Sequence, residues 1–148
     1  LGDVDFSVDA ENENIKETFT YYGMMISGLP NLAWSFGYIR SSWTLRSDLI
    51  AHYVCRLLKH IDEVDVRICT PTMRAKDHGV NGKGFIDPDD FAPGYMRRGV
   101  SRLPQQSGQG PWTNCQDYYH EKDTIPTLRF DDDALVFANA NEMEMTAD

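Results

Sequence analysis

The chain has 148 residues, 41% of them hydrophobic, with 14 Lys+Arg against 23 Asp+Glu and a formal net charge of −9. That length and apolar content fit about one folded domain and exclude a disordered chain. The acidic balance excludes a polyanion binder, so neither nucleic acid nor an anionic membrane surface is an expected partner.

The elements follow in chain order. Val4, Phe6 and Val8 alternate with polar residues and predict a short strand. Ile15–Thr20 predicts a second strand, with the turn residues of Asp9–Asn14 closing a hairpin. Tyr21–Pro30 is broken by Gly23, Gly28 and Pro30 into an irregular, buried approach. Asn31–Tyr38 is short and almost continuously apolar between Pro30 and Gly37, the pattern of a parallel strand covered on both faces.

Ser41 or Ser42 can then cap a helix over Trp43–His60. Leu45, Leu49, Tyr53, Leu57 and Ile61 recur at i+4 with Ile50, Val54 and Leu58 beside them, leaving Arg46, Asp48, Arg56 and Lys59 to solvent. Strand, tight turn and helix make half of a βαβ unit, and a parallel strand needs parallel neighbours. No second strand–helix pair of comparable quality occurs, so either the sheet is unusually small or most of it lies on polypeptide outside this chain. The start on Leu1 rather than Met fits the second expectation.

Beyond the helix, Glu63–Cys69 predicts one more strand and residues 70–94 a long Gly-, Pro- and Asp-rich loop. Tyr95–Leu103 predicts a short helix stopped by Pro104, and 105–110 a flexible link. Trp112 to about Lys122 predicts a helix started by Pro111. Leu128–Phe130 and Ala134–Phe137, split by Asp131–Asp133, predict a terminal hairpin or two extended pieces, and residues 139–148 a frayed acidic tail.

Little of this composition carries chemistry. The three cysteines (Cys55, Cys69, Cys115) form no disulfide framework and suit a reducing cytoplasm, the expected compartment, and no secretory signal opens the chain. No apolar run approaches the ~20 residues of a membrane helix. His52/Cys55 and Cys115/His120 lack partner pairs at zinc-site spacing, so no metal is expected. Asp131–Asp133 lacks the offsets of a calcium loop and predicts a solvated turn. Gly79, Gly82 and Gly84 sit in a loop with no strand before them, a weak phosphate cradle.

The strand-to-helix corner differs. Gly37–Leu45 leads from a sheet's carboxyl edge into a helix N-terminus, where open α/β sheets bind ligands. First-turn N–H groups of Trp43, Thr44 and Leu45 are candidate donors, and the helix end carries about half a positive charge. The competing expectation is plain: a serine caps the helix and Trp43 packs in the core.

At this corner the sequence resembles a known family. Gly23–Tyr38, Ser42–Leu49 and Tyr53–Leu58 are similar to the carboxyl-terminal part of bacterial flavin-containing monooxygenases of the Baeyer–Villiger type. The likeness is to the branch containing the thioamide-prodrug activator of mycobacteria. Gly94–Arg98, Leu103–Gln106 and Gly110–Trp112 resemble that branch's tail, so the likeness spans most of residues 3–137.

The resemblance implies an α/β chain (α+β as an isolated fragment). Residues 1–69 would be the end of a Rossmann-like FAD-binding domain, and residues 70–148 a loop-rich tail with short helices. The family reduces bound FAD with NADPH and transfers one oxygen atom of O2 to a ketone or a soft heteroatom. Leu32–Phe36 would be the last strand of the FAD domain. The backbone of Trp43, Thr44 and Leu45, with Tyr38 and Arg40 nearby, would face the pyrimidine side of the flavin, where a helix dipole stabilises the charge of the reduced ring.

The chain has neither glycine fingerprint for FAD or NADPH, so it is expected to bind neither alone and to be inactive alone. Its expected partners are the absent nucleotide-binding domains. A stand-alone, self-associating interaction module without catalysis is the alternative, and an exposed sheet face makes a homo-oligomer the expected form of any isolated chain.

Overall fold

The computed structural model describes residues 6–8, 11–13, 15–87 and 94–139. Val4, residues 9, 10 and 14 of the expected turn, residues 88–93 of the long loop and the tail from 140 lie outside the described residues. The elements are β1 (Phe6–Val8), β2 (Glu11–Glu13), β3 (Thr20–Tyr21), β4 (Met25–Ile26), α1 (Trp43–Glu63), β5 (Ile68–Pro71), α2 (Gly94–Gly99), α3 (Tyr118–Thr124) and β6 (Leu135–Ala138). Among the described residues these strands form three two-stranded antiparallel sheets: β1–β2, β3–β4 and β5–β6. The fold is therefore mixed helix with small sheets.

α1 forms because Ile50, Tyr53 and Leu57 recur on one side and are buried. It ends where Asp65 turns into the left-handed region at φ 54°, a conformation aspartate tolerates. The backbone N–H of Val64 closes on His60 O at 3.0 Å. Around this helix the main core gathers Tyr21, Met24, Met25, Cys69, Trp112, Ile125, Ala134 and Leu135. A second cluster joins Phe36, Phe85 and Ile86, with Trp34 packed against them.

Several expectations are corrected. Asn31–Tyr38 forms no strand with the described residues of this chain: its β-pairing among them is one antiparallel bridge, Met25↔Ala33. Phe36 and Tyr38 are buried and Trp34 is half-buried by aromatic packing instead of a sheet, with ring centroids of Trp34 and Phe36 at 5.0 Å and 4.9 Å from Phe85. Ile15–Glu17 is a 3-10 turn, closed by Thr18 Oγ1 donating to Ile15 O at 2.7 Å, so the partner of β1 is β2. Glu63 belongs to α1, and the following strand begins only at Ile68.

The tail is corrected too. Residues 105–110 are no loose link, since Thr20 N–H donates to Gln105 O at 2.8 Å and Gln105 N–H to Thr18 O at 2.7 Å. Trp112 lies in the core rather than opening a helix. α3 starts at Tyr118, because Asp117 caps it by accepting from Tyr119 N–H at 2.9 Å. β6 pairs with β5, Cys69 opposite Phe137, instead of with Leu128–Phe130. Phe130 packs on α1, its ring 5.5 Å from Tyr53.

The Asp131–Asp133 turn is not simply solvated. Arg74 Nη1 donates to Asp132 Oδ1 at 3.1 Å and Asp133 Oδ1 at 2.6 Å, while its Nε and Nη2 take Asp77. Lys76 Nζ adds a bond to Asp133 Oδ2 at 2.8 Å. Arg74 holds the Asp77 carboxyl well below the usual carboxylate range, and Lys76 with Arg74 lowers Asp133 to about 2. Because both folded values lie below the unfolded ones, this stabilisation is present above about pH 4 and is lost as pH falls through the folded values. The urea midpoint is expected to fall between about pH 4 and pH 2, and Asp77→Asn to flatten that fall.

Candidate functional site

The corner expected to face a ligand is built from Phe36 to Leu45. Ser42 stands at the N-cap of α1 in extended conformation, but its side chain caps no first-turn N–H. Its hydroxyl instead meets Thr44 Oγ1 at 2.9 Å. Leu45 N–H is not a free donor, since it donates to Ser42 O at 3.2 Å. Trp43 is 42% exposed, Thr44 and Arg40 are exposed, and Leu45 is half-buried. Trp43 is therefore not sealed in the core; its ring meets Phe36 at a tilt of 53°, centroids 5.1 Å apart.

Gly37 permits that approach. A Cβ there would overlap the Trp43 ring and fall 2.7 Å from the Trp43 carbonyl oxygen. Gly37→Ala must push the first residue of α1 outward, at a cost of about 1–3 kcal/mol. A lowered thermal midpoint with a changed tryptophan near-UV dichroism is the expected result.

Tyr38 is 2% exposed. Burial first, and nearby Glu121 second, push its hydroxyl pKa upward, so it stays neutral. Its ring lies 5.9 Å from Tyr118 and 5.8 Å from the Arg46 guanidinium carbon.

Arg46 departs furthest from the arrangement its residue type suggests. It is fully buried rather than on the solvent face of α1. Its Nε and Nη2 donate to Glu121 Oε2 and Oε1 at 3.0 and 2.9 Å, a bidentate pair between α1 and α3. Its remaining donors reach Phe36 O at 2.9 Å, Tyr22 O at 3.0 Å and Gly23 O at 3.4 Å. One guanidinium thus ties the approach segment and the corner to the first turn of α1. Gly23, at φ 66°, leaves room for it, since a Cβ there would sit 2.5 Å from Arg46 Nη2.

Beside the corner lies a cleft of about 850 Å³, lined among others by Phe85, Asn114, Cys115, Gln116, His120 and Glu121. None of Tyr38, Arg40, Trp43, Thr44 or Leu45 lines it. The link between cleft and corner is Gln116, whose Oε1 accepts from Ile39 N–H at 3.0 Å and whose Nε2 donates to Gly37 O at 3.2 Å. Among the described residues no group of His, Cys, Asp and Glu could hold a metal ion, and no helix is long and apolar enough to cross a membrane. Cys55, Cys69 and Cys115 are all free thiols.

Sequence comparison decides what this corner is related to. The chain is 36% identical over 138 residues to FAD-containing monooxygenase EthA of Mycobacterium tuberculosis, covering 93% of the chain and 27% of that protein. The chain is a homologue of part of an FAD-containing monooxygenase. EthA of Mycolicibacterium smegmatis is 33% identical over 137 residues, covering 93% of the chain and 27% of that protein. The Acinetobacter protein named "Probable FAD-binding monooxygenase AlmA" is 32% identical over 146 residues, covering 96% and 28%. The chain thus spans about a quarter of the length of these relatives. No family model and no solved structure matches it.

Sequence reasoning missed Arg46, Glu121 and Gln116. A signal existed for Arg46 alone: it stands four and seven residues before Ile50 and Tyr53, on the face that is buried.

Proposed function

We propose that residues 31–63 are the last strand–helix unit of a Rossmann-like FAD-binding domain, and that the whole protein is an NADPH-dependent monooxygenase of the Baeyer–Villiger type. The observation that carries it is 36% identity across 93% of the chain to an FAD-containing monooxygenase of which it spans 27%. The corner suits the group. α1's first turn has no side-chain cap and Trp43 is open to solvent. Residues 35–38 have no β-partner among the described residues.

Neighbouring strands of the proposed sheet would lie against that segment, on polypeptide outside this chain. The backbone at Trp43 and Thr44, with Tyr38 and Arg40 nearby, would hold the pyrimidine side of the flavin, Leu45 N–H being taken by Ser42 O. The helix dipole would favour negative charge there. Bound FAD supplies the redox chemistry that delivers one oxygen atom of O2 to a ketone or a soft heteroatom. The proposed compartment is the cytoplasm. Residues 70–148 form the tail of this unit, and residues 1–69 the end of the FAD domain.

The test compares two proteins. The isolated chain is expected to purify without flavin and to leave NADPH unconsumed. EthA carrying this chain in place of its matched stretch is expected to take up FAD and consume NADPH. Near-stoichiometric flavin on the isolated chain overturns the proposal, as does an exchange protein that folds but takes up none.

A second reading, self-association of the isolated chain, is favoured by one face of α1. Trp43, Val54, Leu58 and Ile61 share that face, with Leu58 57% exposed. It borders an apolar groove lined by Met25, Ala33, Leu57 and Cys69. Light scattering is expected to show a dimer or larger species that Leu58→Lys converts to monomer; a parent that stays monomeric at high concentration contradicts this.

A further inference from the structure

Gln116 sits at φ 57°, in the left-handed region, which is unfavourable for any residue carrying a Cβ. Such a conformation persists where surrounding contacts fix it. Here the contacts are those of its own carboxamide. Oε1 accepts from Ile39 N–H at 3.0 Å. Nε2 donates to Gly37 O and to Asn114 Oδ1, both at 3.2 Å. Both sides of Tyr38 in the chain are therefore held by one side chain, from a segment 77 to 79 residues further on.

The carboxamide is itself anchored. Asn114 is buried, its Nδ2 donates to Phe85 O at 2.8 Å and its N–H to Gln106 Oε1 at 3.1 Å. Gln106 Nε2 returns to Phe85 O at 3.0 Å. Three carboxamides thus run from the loop at Phe85 to the turn that feeds α1. The next residue, Asp117, caps α3, whose Glu121 pairs with Arg46 on α1. The left-handed turn at Gln116 lets the same short segment serve both purposes.

We propose that Gln116 is a positioning residue for the flavin-facing corner, an inference that rests on the proposed FAD site. It fixes the peptide orientation of Gly37–Tyr38–Ile39. With Gly37 C=O and Ile39 N–H engaged by the carboxamide, the backbone polar groups left for a ligand are those of Tyr38 itself and of the first turn of α1. The tail is then a structural part of the cofactor corner, although it contributes no group to the ring.

The test uses Gln116→Gly, which removes the side chain and relieves the left-handed backbone, so folding is preserved. Gln116→Glu keeps the acceptor for Ile39 N–H. In the isolated chain, amide hydrogen exchange at Ile39 is expected to quicken at least about tenfold in Gln116→Gly and less in Gln116→Glu, whose carboxylate keeps the acceptor for Ile39 N–H but sets an oxygen against Gly37 O and Asn114 Oδ1. Exchange at Tyr53 and Leu57, inside α1, should not change. In EthA carrying this chain, Gln116→Gly is expected to shift the visible flavin spectrum and the flavin reduction potential.

Unchanged Ile39 exchange in Gln116→Gly overturns the clamp, while flavin uptake by the parent exchange protein leaves the cofactor site standing. Quickened exchange with an unmoved flavin spectrum and potential overturns the positioning role. Failure of the parent exchange protein to take up flavin overturns the site, and this role with it.

Discussion

Arg46→Ala is expected to cost about 3–5 kcal/mol, a large part of the 5–15 kcal/mol that holds a typical domain together. Arg46 has no solvent exposure and Glu121 side-chain exposure is 5%, so truncating either leaves the other charge buried without its partner. Arg46→Ala also removes the donors that satisfy Phe36 O and Tyr22 O, and buried carbonyls left without donors add to the cost. Glu121→Ala should approach the same loss. The double variant Arg46→Met with Glu121→Leu removes both charges and fills the space. It should be more stable than the sum of the single losses implies, although the backbone carbonyls remain unsatisfied. Urea unfolding followed by circular dichroism measures all four proteins. Single variants that each lose under about 1 kcal/mol would mean the pair is hydrated in solution rather than buried.

Trp112→Ala is expected to cost about 3–5 kcal/mol through the cavity it leaves. Trp112 is 1% exposed and its ring meets Tyr21 edge-on at 5.9 Å. It also anchors the tail: its carbonyl accepts from Ser107 N–H at 2.7 Å, and Tyr22 N–H donates to the adjacent Pro111 O at 2.6 Å. Losing the indole should therefore loosen residues 105–117 from the Thr18–Tyr22 segment before α1 melts. Limited proteolysis is expected to cut the variant first near Gly108 and Gly110, with a lowered thermal midpoint. Trp112→Phe should lose much less on both measures. Cleavage elsewhere in Trp112→Ala, with 105–117 still protected, would show that backbone pairing alone holds the tail.

These two residues mark where the sequence was legible and where it was not. α1 was visible because its apolar spacing is dense, and only its end shifted, from His60 to Glu63. Its buried face was misjudged for a geometric reason. Following i+4 steps from Leu45 drifts around a helix of 3.6 residues per turn, whereas positions 46, 50, 53 and 57 stay together and are the buried ones. Arg46 looked like a solvent residue by type, and its partner Glu121 lies 75 positions away. No local pattern encodes such a pairing.

The run Leu32–Phe36 has the composition of a sheet interior, but a strand exists only with a neighbour to bond, and among the described residues the pairing with Met24 and Met25 stops at Trp34. The β5–β6 pairing escaped notice for a related reason, since Ile68 and Ala138 are partners from distant parts of the chain. At the corner, residue types placed Gly37, Ser42 and Trp43 together. The close packing of Gly37 on Trp43 and the reach of Gln116 to Ile39 needed coordinates.

The most direct measurement is a crystal structure of flavin-loaded EthA carrying this chain in place of its matched stretch. The expected result has the flavin ring within hydrogen-bonding reach of backbone N–H groups at the start of α1, with a strand from the EthA portion paired along residues 32–36. A ring seated away from residues 38–45, with that edge still unpaired, would contradict the account.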